Sequence, residues 1–256
     1  MSSLNADGQI ITTNGAIVTC VGKKRSGKTV LALCLAQSFP GDIVVIDVAQ
    51  DDGPKGPGVV EWRGTVDDLP RRFPSERRRR EGERLILRYT PDAGSATYRE
   101  DMDAVVGVAM EHSTKERPAM LLIHETGVVA KVHQTGPHTR RVLQHSRHRG
   151  LVCVFTMPRV KGVDPLVLAQ SDLVYVFELP NPDDRRQLAG IIGWSPADLD
   201  AGVAELGRHE YLRFDANQTA PEDGQQDLRL VALPALPEDV VKDVTTWADD
   251  VKLPTS

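Results

Sequence analysis

The chain has 256 residues, of which 40% are hydrophobic and 26% charged, and its net charge is −5. This composition is typical of a globular protein, and the length suits one large α/β domain. We therefore predict a single domain, 1–256, with a core at about 15–193 and a C-terminal section at 194–256. The negative charge excludes a globally basic surface, so any contact with nucleic acid requires a local basic patch.

The sequence also predicts no membrane insertion. No apolar run reaches the roughly 18–20 residues that cross a bilayer, and the N-terminus has no basic region followed by an apolar one, as a signal peptide would. Three cysteines, Cys20, Cys34 and Cys153, lie in apolar runs without metal-ligand spacing. We interpret them as reduced core residues of a cytoplasmic protein.

Short apolar runs predict buried β-strands at 16–21, 42–47, 84–89, 119–124, 151–156 and 173–178. Segments with helical spacing lie between them, at 28–39, 96–113, 137–150 and 163–171. Nearly continuous apolar strands that alternate with helices indicate a mostly parallel sheet covered by helices on both faces. The predicted fold class is therefore α/β.

Other segments depart from this alternation. Residues 51–58 are turn-rich and predict a loop. The charge run at 71–84 predicts a solvated loop or frayed helix, or alternatively a patch that contacts phosphates. Two C-terminal edge strands or a hairpin are expected at 210–215 and 227–233. A short terminal helix is expected at 238–252, with an apolar face that covers the core or docks on a neighbouring subunit.

The segment "GKKRSGKT" (22–29) fits the pattern G-x-x-x-x-G-K-[ST] between a predicted strand and a predicted helix. Gly22 and Gly27 allow backbone amides to turn towards phosphate oxygens, and the helix N-terminus adds partial positive charge. Lys28 is placed for the β- and γ-phosphates and Thr29 for Mg²⁺. The sequence therefore predicts binding of ATP and Mg²⁺. The predicted contacts are Gly22, Lys23, Lys24, Arg25, Ser26, Gly27, Lys28 and Thr29, with Lys23, Lys24 and Arg25 mainly in solvent.

The strand at 119–124 ends in "LLIHETG" (121–127), which matches a Walker B strand followed by an acid. Glu125 is the candidate general base that orients the attacking water, with a plain surface acid as the alternative. His124 stands where an acid usually holds magnesium, and we expect it to act through a metal-bound water. Asp47 is a candidate compensating metal ligand or a structural cap. Because Glu125 is present, we predict an active ATPase.

The motif order continues with "QHSRHRGLVCVFTMPR" (144–159) and "SDLVYVFELPNPDDRRQLAGIIG" (171–193). Over roughly 15–193 the chain resembles the FtsK/HerA superfamily of DNA-pumping ATPases, and within it the genome-packaging ATPases of double-stranded DNA viruses. The resemblance implies a P-loop NTPase fold of the ASCE type. It also implies that Arg147, with Arg149 as the alternative, reaches the nucleotide of a neighbouring subunit.

In the same family, a strand that ends in Thr-Gln senses the γ-phosphate. Here that strand ends in Thr156 and Met157. Because methionine cannot make the hydrogen bond of the glutamine, the resemblance implies that sensing is weaker or uses Thr156.

The resemblance further implies an ATP-driven motor that packages double-stranded DNA into a capsid. Such a motor would form a ring of five or six subunits at the capsid or portal vertex, in the cytoplasm of an infected host cell or at a virion vertex. Basic loops would touch the DNA without reading its sequence. The candidate contacts are Lys131, His133, Arg77, Arg78, Arg79 and Arg80.

Three alternatives remain open at this point. A related DNA export or conjugative pump would share the same site, although such pumps are often tethered to a membrane. A nucleotide-gated assembly protein with weak ATPase activity would be compatible with His124 and Met157. A small-molecule or nucleotide kinase would need a lid and an acceptor pocket, for which the sequence offers no obvious insertion.

Overall fold

The computed structural model describes residues 3–4, 10–11, 15–50, 53–56, 58–63, 65–79 and 83–216, and the statements below concern these ranges. The strands are β1 (Ser3–Leu4), β2 (Ile10–Ile11), β3 (Ala16–Val21), β4 (Asp42–Ile46), β5 (Val59–Arg63), β6 (Ile86–Thr90), β7 (Ala119–Ile123), β8 (Leu151–Met157), β9 (Leu173–Val176) and β10 (Leu212–Asp215). The helices are α1 (Lys28–Ser38), α2 (Leu69–Arg79), α3 (Tyr98–His112), α4 (Pro137–His145), α5 (Pro165–Ala169), α6 (Pro182–Ile192) and α7 (Pro196–Glu205). A 3-10 helix, Ser146–Arg149, follows α4.

Eight of the strands form one sheet in the order β10-β9-β3-β8-β7-β4-β6-β5, and β1 pairs with β2 separately. Within the large sheet, every pairing from β9 to β5 is parallel, and β10 lies antiparallel to β9 at one edge. The parallel strands therefore all end at the same edge of the sheet. Strand β8 lies between β3 and β7, so the segments that follow β3 and β7 are separated by the width of one strand.

Both faces of the sheet are covered, as the apolar runs predicted. On β3, Ile17 and Val21 belong to one apolar cluster, and Val18 and Cys20 belong to the other. The first cluster includes residues of α3 to α7, and the second includes residues of α1. Each fully buried aliphatic side chain contributes about 1.5–3 kcal/mol relative to exposure. The predicted α/β fold class is confirmed.

The three cysteines are free thiols, with Cys20 and Cys153 buried and Cys34 half-buried. Burial disfavours the thiolate, and it raises the pKa of Cys20 to about 12 and that of Cys34 to about 11. These thiols are therefore protonated and weakly nucleophilic near neutral pH.

The six strands predicted from apolar runs all form, with ends shifted by at most two residues. The predicted helix at 137–150 is α4 followed by the 3-10 helix, and the charge run at 71–84 overlaps α2, a helix with Pro74 inside it. The sequence did not predict β5 or α7. Strand β10 matches the edge strand expected at 210–215, whereas the elements expected at 227–233 and 238–252 lie outside the described residues. No described helix is long and apolar enough to span a membrane.

A buried ion pair fixes the loop that follows β4. Arg88 Nε and Nη2 donate to Asp47 Oδ2 over 2.9 and 2.6 Å, and both side chains are almost fully buried. Arg88 Nη2 also donates to the Gln50 carbonyl oxygen over 2.6 Å, and the Gly53 amide donates to Asp47 Oδ2 over 3.0 Å. Arg88 therefore links strand β6 to the backbone of this loop.

We expect Arg88→Met to lower the free energy of unfolding by about 3–5 kcal/mol, because it leaves the Asp47 carboxylate buried without its cation. Urea unfolding measures this difference. The control is Arg63→Gln, which removes an exposed ion pair with Glu61 and should cost about 1 kcal/mol or less. Similar losses in the two variants would contradict a structural role for the buried pair.

Candidate functional site

The loop at 22–27 leaves the carboxyl end of β3 and leads into α1, and glycine is required at both of its ends. Gly22 has a φ of 153°, and a Cβ placed on it would lie 2.6 Å from Phe177 Cβ. Gly27 has a φ of 107°, in the region that side chains disfavour. The loop can therefore lie against the end of β9 only because these positions carry no side chain.

Hydrogen bonds attach the start of the loop to strand ends on both sides of β3. The Gly22 amide donates to the Met157 carbonyl oxygen over 3.2 Å, and the Lys23 amide donates to the Glu178 carbonyl oxygen over 2.7 Å. The Lys23 side chain also pairs with the Glu178 carboxylate. The loop is thus anchored to the segments that follow β8 and β9.

Polar groups inside the loop are arranged as an anion site. Lys28 is buried, and its Nζ donates to the Lys23 carbonyl oxygen over 2.6 Å. The Ser26 Oγ is buried and has no hydrogen-bond partner among the described residues. The N-terminus of α1 adds unpaired amides with partial positive charge. A phosphate group would supply the acceptors that these donors need.

A cavity of about 590 Å³ opens beside the loop, within the range of small-molecule sites. It joins the loop to the segments that follow β4, β7 and β8 and to the turn before β10. The lining residues are Lys24, Arg25, Gly27, Lys28, Thr29, Val30, Leu33, Ala49, His124, Glu125, Thr156, Pro158, Arg208 and His209. The tertiary structure therefore brings the predicted phosphate loop together with His124, Glu125 and Thr156.

Glu125 lies at the end of β7 in a strained backbone conformation. Its φ is 56°, which is uncommon for a residue other than glycine. The Glu125 amide lies 3.4 Å from Thr156 Oγ1, and the neighbouring His124 amide donates to the Ile46 carbonyl oxygen over 3.1 Å. These contacts with β4 and β8 hold the half-buried Glu125 carboxylate at the cavity.

Tyr98, at the start of α3, interacts electrostatically with Glu125. Burial raises the pKa of the Tyr98 phenol, and the negative charge of Glu125 raises it further. The phenol therefore stays protonated at neutral pH beside the carboxylate.

Met157 and Asp47 are among the predicted site residues that do not line the cavity. Met157 is fully buried in the apolar core, whereas its neighbour Thr156 lines the cavity. Asp47 is buried and held by Arg88 on the side of β4 away from β7. Thr156 therefore lies at the cavity and Met157 does not, while Asp47 is engaged by Arg88 and by the Gly53 amide.

Arg147 lies near the amino-terminal ends of the parallel strands, whereas the phosphate loop lies at their carboxyl ends. A Cβ on Gly15, just before β3, would lie 2.6 Å from Arg147 Cα, and the six residues of β3 separate this point from the loop, which is roughly 20 Å. The Arg147 guanidinium pairs with Asp172, whose Oδ2 accepts from the Ile17 amide over 2.8 Å. Arg149 is exposed and has no hydrogen bond or ion pair among the described residues. Neither arginine can reach the cavity of its own chain.

The predicted DNA contacts lie in two places. Lys131 and His133 are exposed on the segment between β7 and α4. Arg77, Arg78 and Arg79 belong to α2, which follows the edge strand β5, and Arg80 lies outside the described residues. The structure does not bring these two groups together in one element or one loop.

The sequence did not predict Arg208 and His209, which reach the cavity from the turn between α7 and β10. His209 has a φ of 67°, and a Cβ on Gly27 would lie 3.3 Å from its Nδ1. Tyr211, two residues after His209, has its ring centroid 5.1 Å from that of Phe177, which lies against the loop. No sequence pattern marked this turn, because only the pairing of β10 with β9 brings it to the loop.

The charge of the lining favours a polyanion. Lys24, Arg25, Lys28 and Arg208 line the cavity, and Glu125 is its single described acid. No group of three or more described His, Cys, Asp or Glu residues is arranged to hold a metal ion by itself. The residues present fit Mg²⁺ that arrives with a nucleotide, because Mg²⁺ commonly uses few protein ligands together with phosphate oxygens and water. The Thr29 hydroxyl at the start of α1 is the ligand that the loop offers.

The sheet order and the glycine-rich loop that leads into α1 define a P-loop NTPase fold, and solved structures share it. The genome packaging NTPase B204 from Sulfolobus turreted icosahedral virus 2, in complex with AMP, matches with a TM-score of 0.58 at 20% identity, over 80% of this chain and 94% of that one. The same protein in complex with ATP-gammaS matches with a TM-score of 0.57 at 20% identity, over 80% and 93% of the two chains. The DNA-packaging ATPase B204 from Sulfolobus turreted icosahedral virus matches with a TM-score of 0.57 at 21% identity, over 80% of this chain and 94% of that one.

The resemblance to FtsK/HerA-type packaging ATPases predicted from the motifs is therefore confirmed at the level of the fold. No protein-family model and no curated protein matches the chain.

We expect Arg208→Gln to weaken binding of ATP by roughly ten- to a hundredfold, the loss of a charge-assisted hydrogen bond of about 1.5–3 kcal/mol. Calorimetric titration with ATP, ADP and AMP measures the effect, which should be largest for ATP if Arg208 contacts the outer phosphates. The control is Arg186→Gln, which removes an exposed cation on α6 and should leave all three affinities unchanged. Unchanged ATP binding in Arg208→Gln would remove Arg208 from the site.

Proposed function

We propose that this protein is the ATPase of a motor that packages double-stranded DNA into a viral capsid. The observation that carries the proposal is the cavity in which the phosphate loop, with Lys28 and Thr29, meets Glu125. A basic phosphate site beside a carboxylate at the adjacent strand end suits hydrolysis of a nucleoside triphosphate by water.

Each residue has a distinct part in the proposed hydrolysis. The loop amides, Ser26 and Lys28 bind the phosphates and neutralise their charge, while Thr29 would ligate Mg²⁺, which would supply further positive charge against the phosphates. Glu125 orients a water molecule and accepts its proton as the water oxygen bonds to the γ-phosphorus. The bond from that phosphorus to the β,γ-bridging oxygen breaks, and ADP and phosphate leave. In this proposal Thr156 contacts the γ-phosphate, and His124 would hold Mg²⁺ indirectly, through a water molecule.

A neighbouring subunit would complete the site with an arginine. Arg147 and Arg149 lie near the amino-terminal ends of the parallel strands, whereas the cavity of their own chain lies at the carboxyl ends. Their charge can therefore act only on a nucleotide bound to another chain. The pairing of Arg147 with Asp172 favours Arg149, which is exposed and unpaired among the described residues. An arginine supplied in trans stabilises the charge that develops during phosphoryl transfer, and it makes hydrolysis depend on assembly.

The coupling to DNA is supported by the likeness of the fold to the B204 packaging proteins. In this proposal, a ring of five or six subunits at the capsid or portal vertex surrounds the duplex, and loops that carry Lys131 and His133 touch its phosphates. The motor would work in the cytoplasm of an infected cell or at a virion vertex. Contacts with phosphates alone suit a machine that must move any sequence.

A second candidate is a nucleotide-gated assembly protein that hydrolyses ATP slowly. The observation that favours it is the burial of Met157 in the core, which leaves Thr156 alone at the sensor position. The two candidates differ in one measurement, because only a motor should hydrolyse ATP faster when duplex DNA or empty capsids are added.

We expect Lys28→Ala to lose most ATP affinity and Glu125→Gln to bind ATP normally but hydrolyse it at least ~10²-fold more slowly, as for loss of a positioned base. Calorimetric titration and phosphate release measure the two effects. Wild-type ATP affinity in Lys28→Ala would contradict the phosphate site. Wild-type turnover in Glu125→Gln would contradict the role of Glu125.

We expect Arg149→Ala to bind ATP normally and to hydrolyse it ~10³-fold more slowly, if its effect resembles that of other arginine fingers. Mixing Arg149→Ala with Lys28→Ala should restore part of the activity, because some interfaces then join an intact loop to an intact arginine. The matched variant is Arg147→Ala, which should lower stability more than catalysis because it removes the partner of Asp172.

Full activity in Arg149→Ala together with loss of activity in a folded Arg147→Ala would reassign the role to Arg147. Full activity in both variants, with a specific activity independent of protein concentration, would contradict a shared site.

A further inference from the structure

Residues 126–163 contain no Asp or Glu, although the whole chain has a net charge of −5. This segment runs from the end of β7 through α4 and β8 to the start of α5. Its basic residues are Lys131, His133, His138, Arg140, Arg141, His145, Arg147, His148, Arg149, Arg159 and Lys161. This segment is therefore basic within a chain of net negative charge.

Several of these cations have structural partners. Arg147 pairs with Asp172 and Arg159 pairs with Asp184, which are acids from outside the segment. The His138 ring lies against Gly107 of α3. These three residues therefore have contacts that explain their presence, and the others need a different explanation.

Six of the remaining cations form what we call the basic stripe. All six are exposed, and within the described ranges their side chains make no hydrogen bond or ion pair. The basic stripe consists of Lys131, His133, Arg140, Arg141, His145 and Lys161.

Helix α4 presents the middle of the basic stripe on one face. Arg141 and His145 are four residues apart, so they lie on neighbouring turns. Thr139, Val142 and Leu143 are buried on the opposite face. The nine residues of α4 extend about 13 Å at 1.5 Å per residue. The cations of α4, from Arg140 to His145, span about 7.5 Å of this length.

Backbone contacts fix the end of the basic stripe that lies beyond the N-terminus of α4. Lys131 forms an isolated bridge with Val163, and the Val132 amide donates to the Gly162 carbonyl oxygen over 3.1 Å. Thr135 Oγ1 donates to Asp164 Oδ2 over 2.7 Å. These contacts hold the loop of Lys131 beside the loop of Lys161, so little backbone entropy is lost when an anion binds there.

We propose that the basic stripe binds the phosphate backbone of duplex DNA, an inference that rests on the proposed function. Phosphates follow one another along each strand at about 3.4 Å of helix axis, so the length of about 7.5 Å covered by the cations of α4 passes roughly two of them. Over the part of the chain that the structure describes, these cations lack acidic partners, and a polyanion of regular spacing would supply anionic ones.

The test compares two double variants that lose the same charge. Arg140→Gln/Arg141→Gln removes two cations of the basic stripe, and Arg63→Gln/Arg186→Gln removes two exposed cations elsewhere. Fluorescence anisotropy with a labelled duplex, without nucleotide and at several salt concentrations, gives the affinity and its salt dependence. We expect the first variant to bind more weakly, with a slope against log salt that is less steep by about 1.8, or ~0.9 per lost phosphate contact. The control should match the wild type.

A second variant, Lys131→Gln/Lys161→Gln, should show the same change, and it replaces the first if that variant unfolds. Wild-type affinity and slope in both stripe variants would overturn the proposal. Loss of subunit association with unchanged DNA binding would also overturn it, and would assign the surface to a second copy of the chain.

Failure of the proposed function gives a different result. If the wild type binds duplex DNA through the basic stripe but hydrolyses no ATP, the proposed motor function is wrong. The proposed binding of DNA by the basic stripe is then still supported. If the wild type binds no duplex at low salt, both are wrong.

Discussion

The parallel pairing of β3, β8 and β7 is the constraint on which the site depends. Because these strands run in the same direction, the loop after β3 and the turn after β7 open at one edge of the sheet. The intervening strand β8 sets their separation at about 9–10 Å, two strand spacings. This gap leaves room for a phosphate group and a water molecule between Lys28 and Glu125. Thr156, at the end of β8, lies at the cavity that fills the gap.

Close packing at the end of β9 extends the site beyond these three strands. Phe177 lies against Gly22 on one side, and its ring meets Tyr211 on the other. The aromatic contact and the antiparallel pairing of β10 bring Arg208 and His209 to the cavity. The phosphate loop is therefore coupled through apolar packing to a turn late in the chain, and movement of that turn would change the cavity directly.

The distribution of charge is the second organising feature. Buried or partly buried acids each hold a particular cation or amide, as Asp47 holds Arg88 and Asp172 holds Arg147. Six exposed cations that are unpaired among the described residues lie in the basic stripe. A protein with an excess of acids can therefore present local positive surfaces to polyanions, because electrostatic attraction in salt solution acts over only about 8–10 Å.

Local pattern by itself determined the buried strands, helix α1 and the phosphate loop, because the apolar runs and the spacing of Gly22, Gly27 and Lys28 depend on neighbouring residues only. It also placed Glu125 at a strand end. Local pattern could not predict β5, a short edge strand, nor the capture of Asp47 by Arg88 from another strand. The tertiary structure alone decided that Met157 is buried, that Arg147 faces Asp172, and that Arg208 reaches the cavity. Each of these outcomes depends on which strands pair and which faces they bury, and that is a property of contacts between residues far apart in the chain.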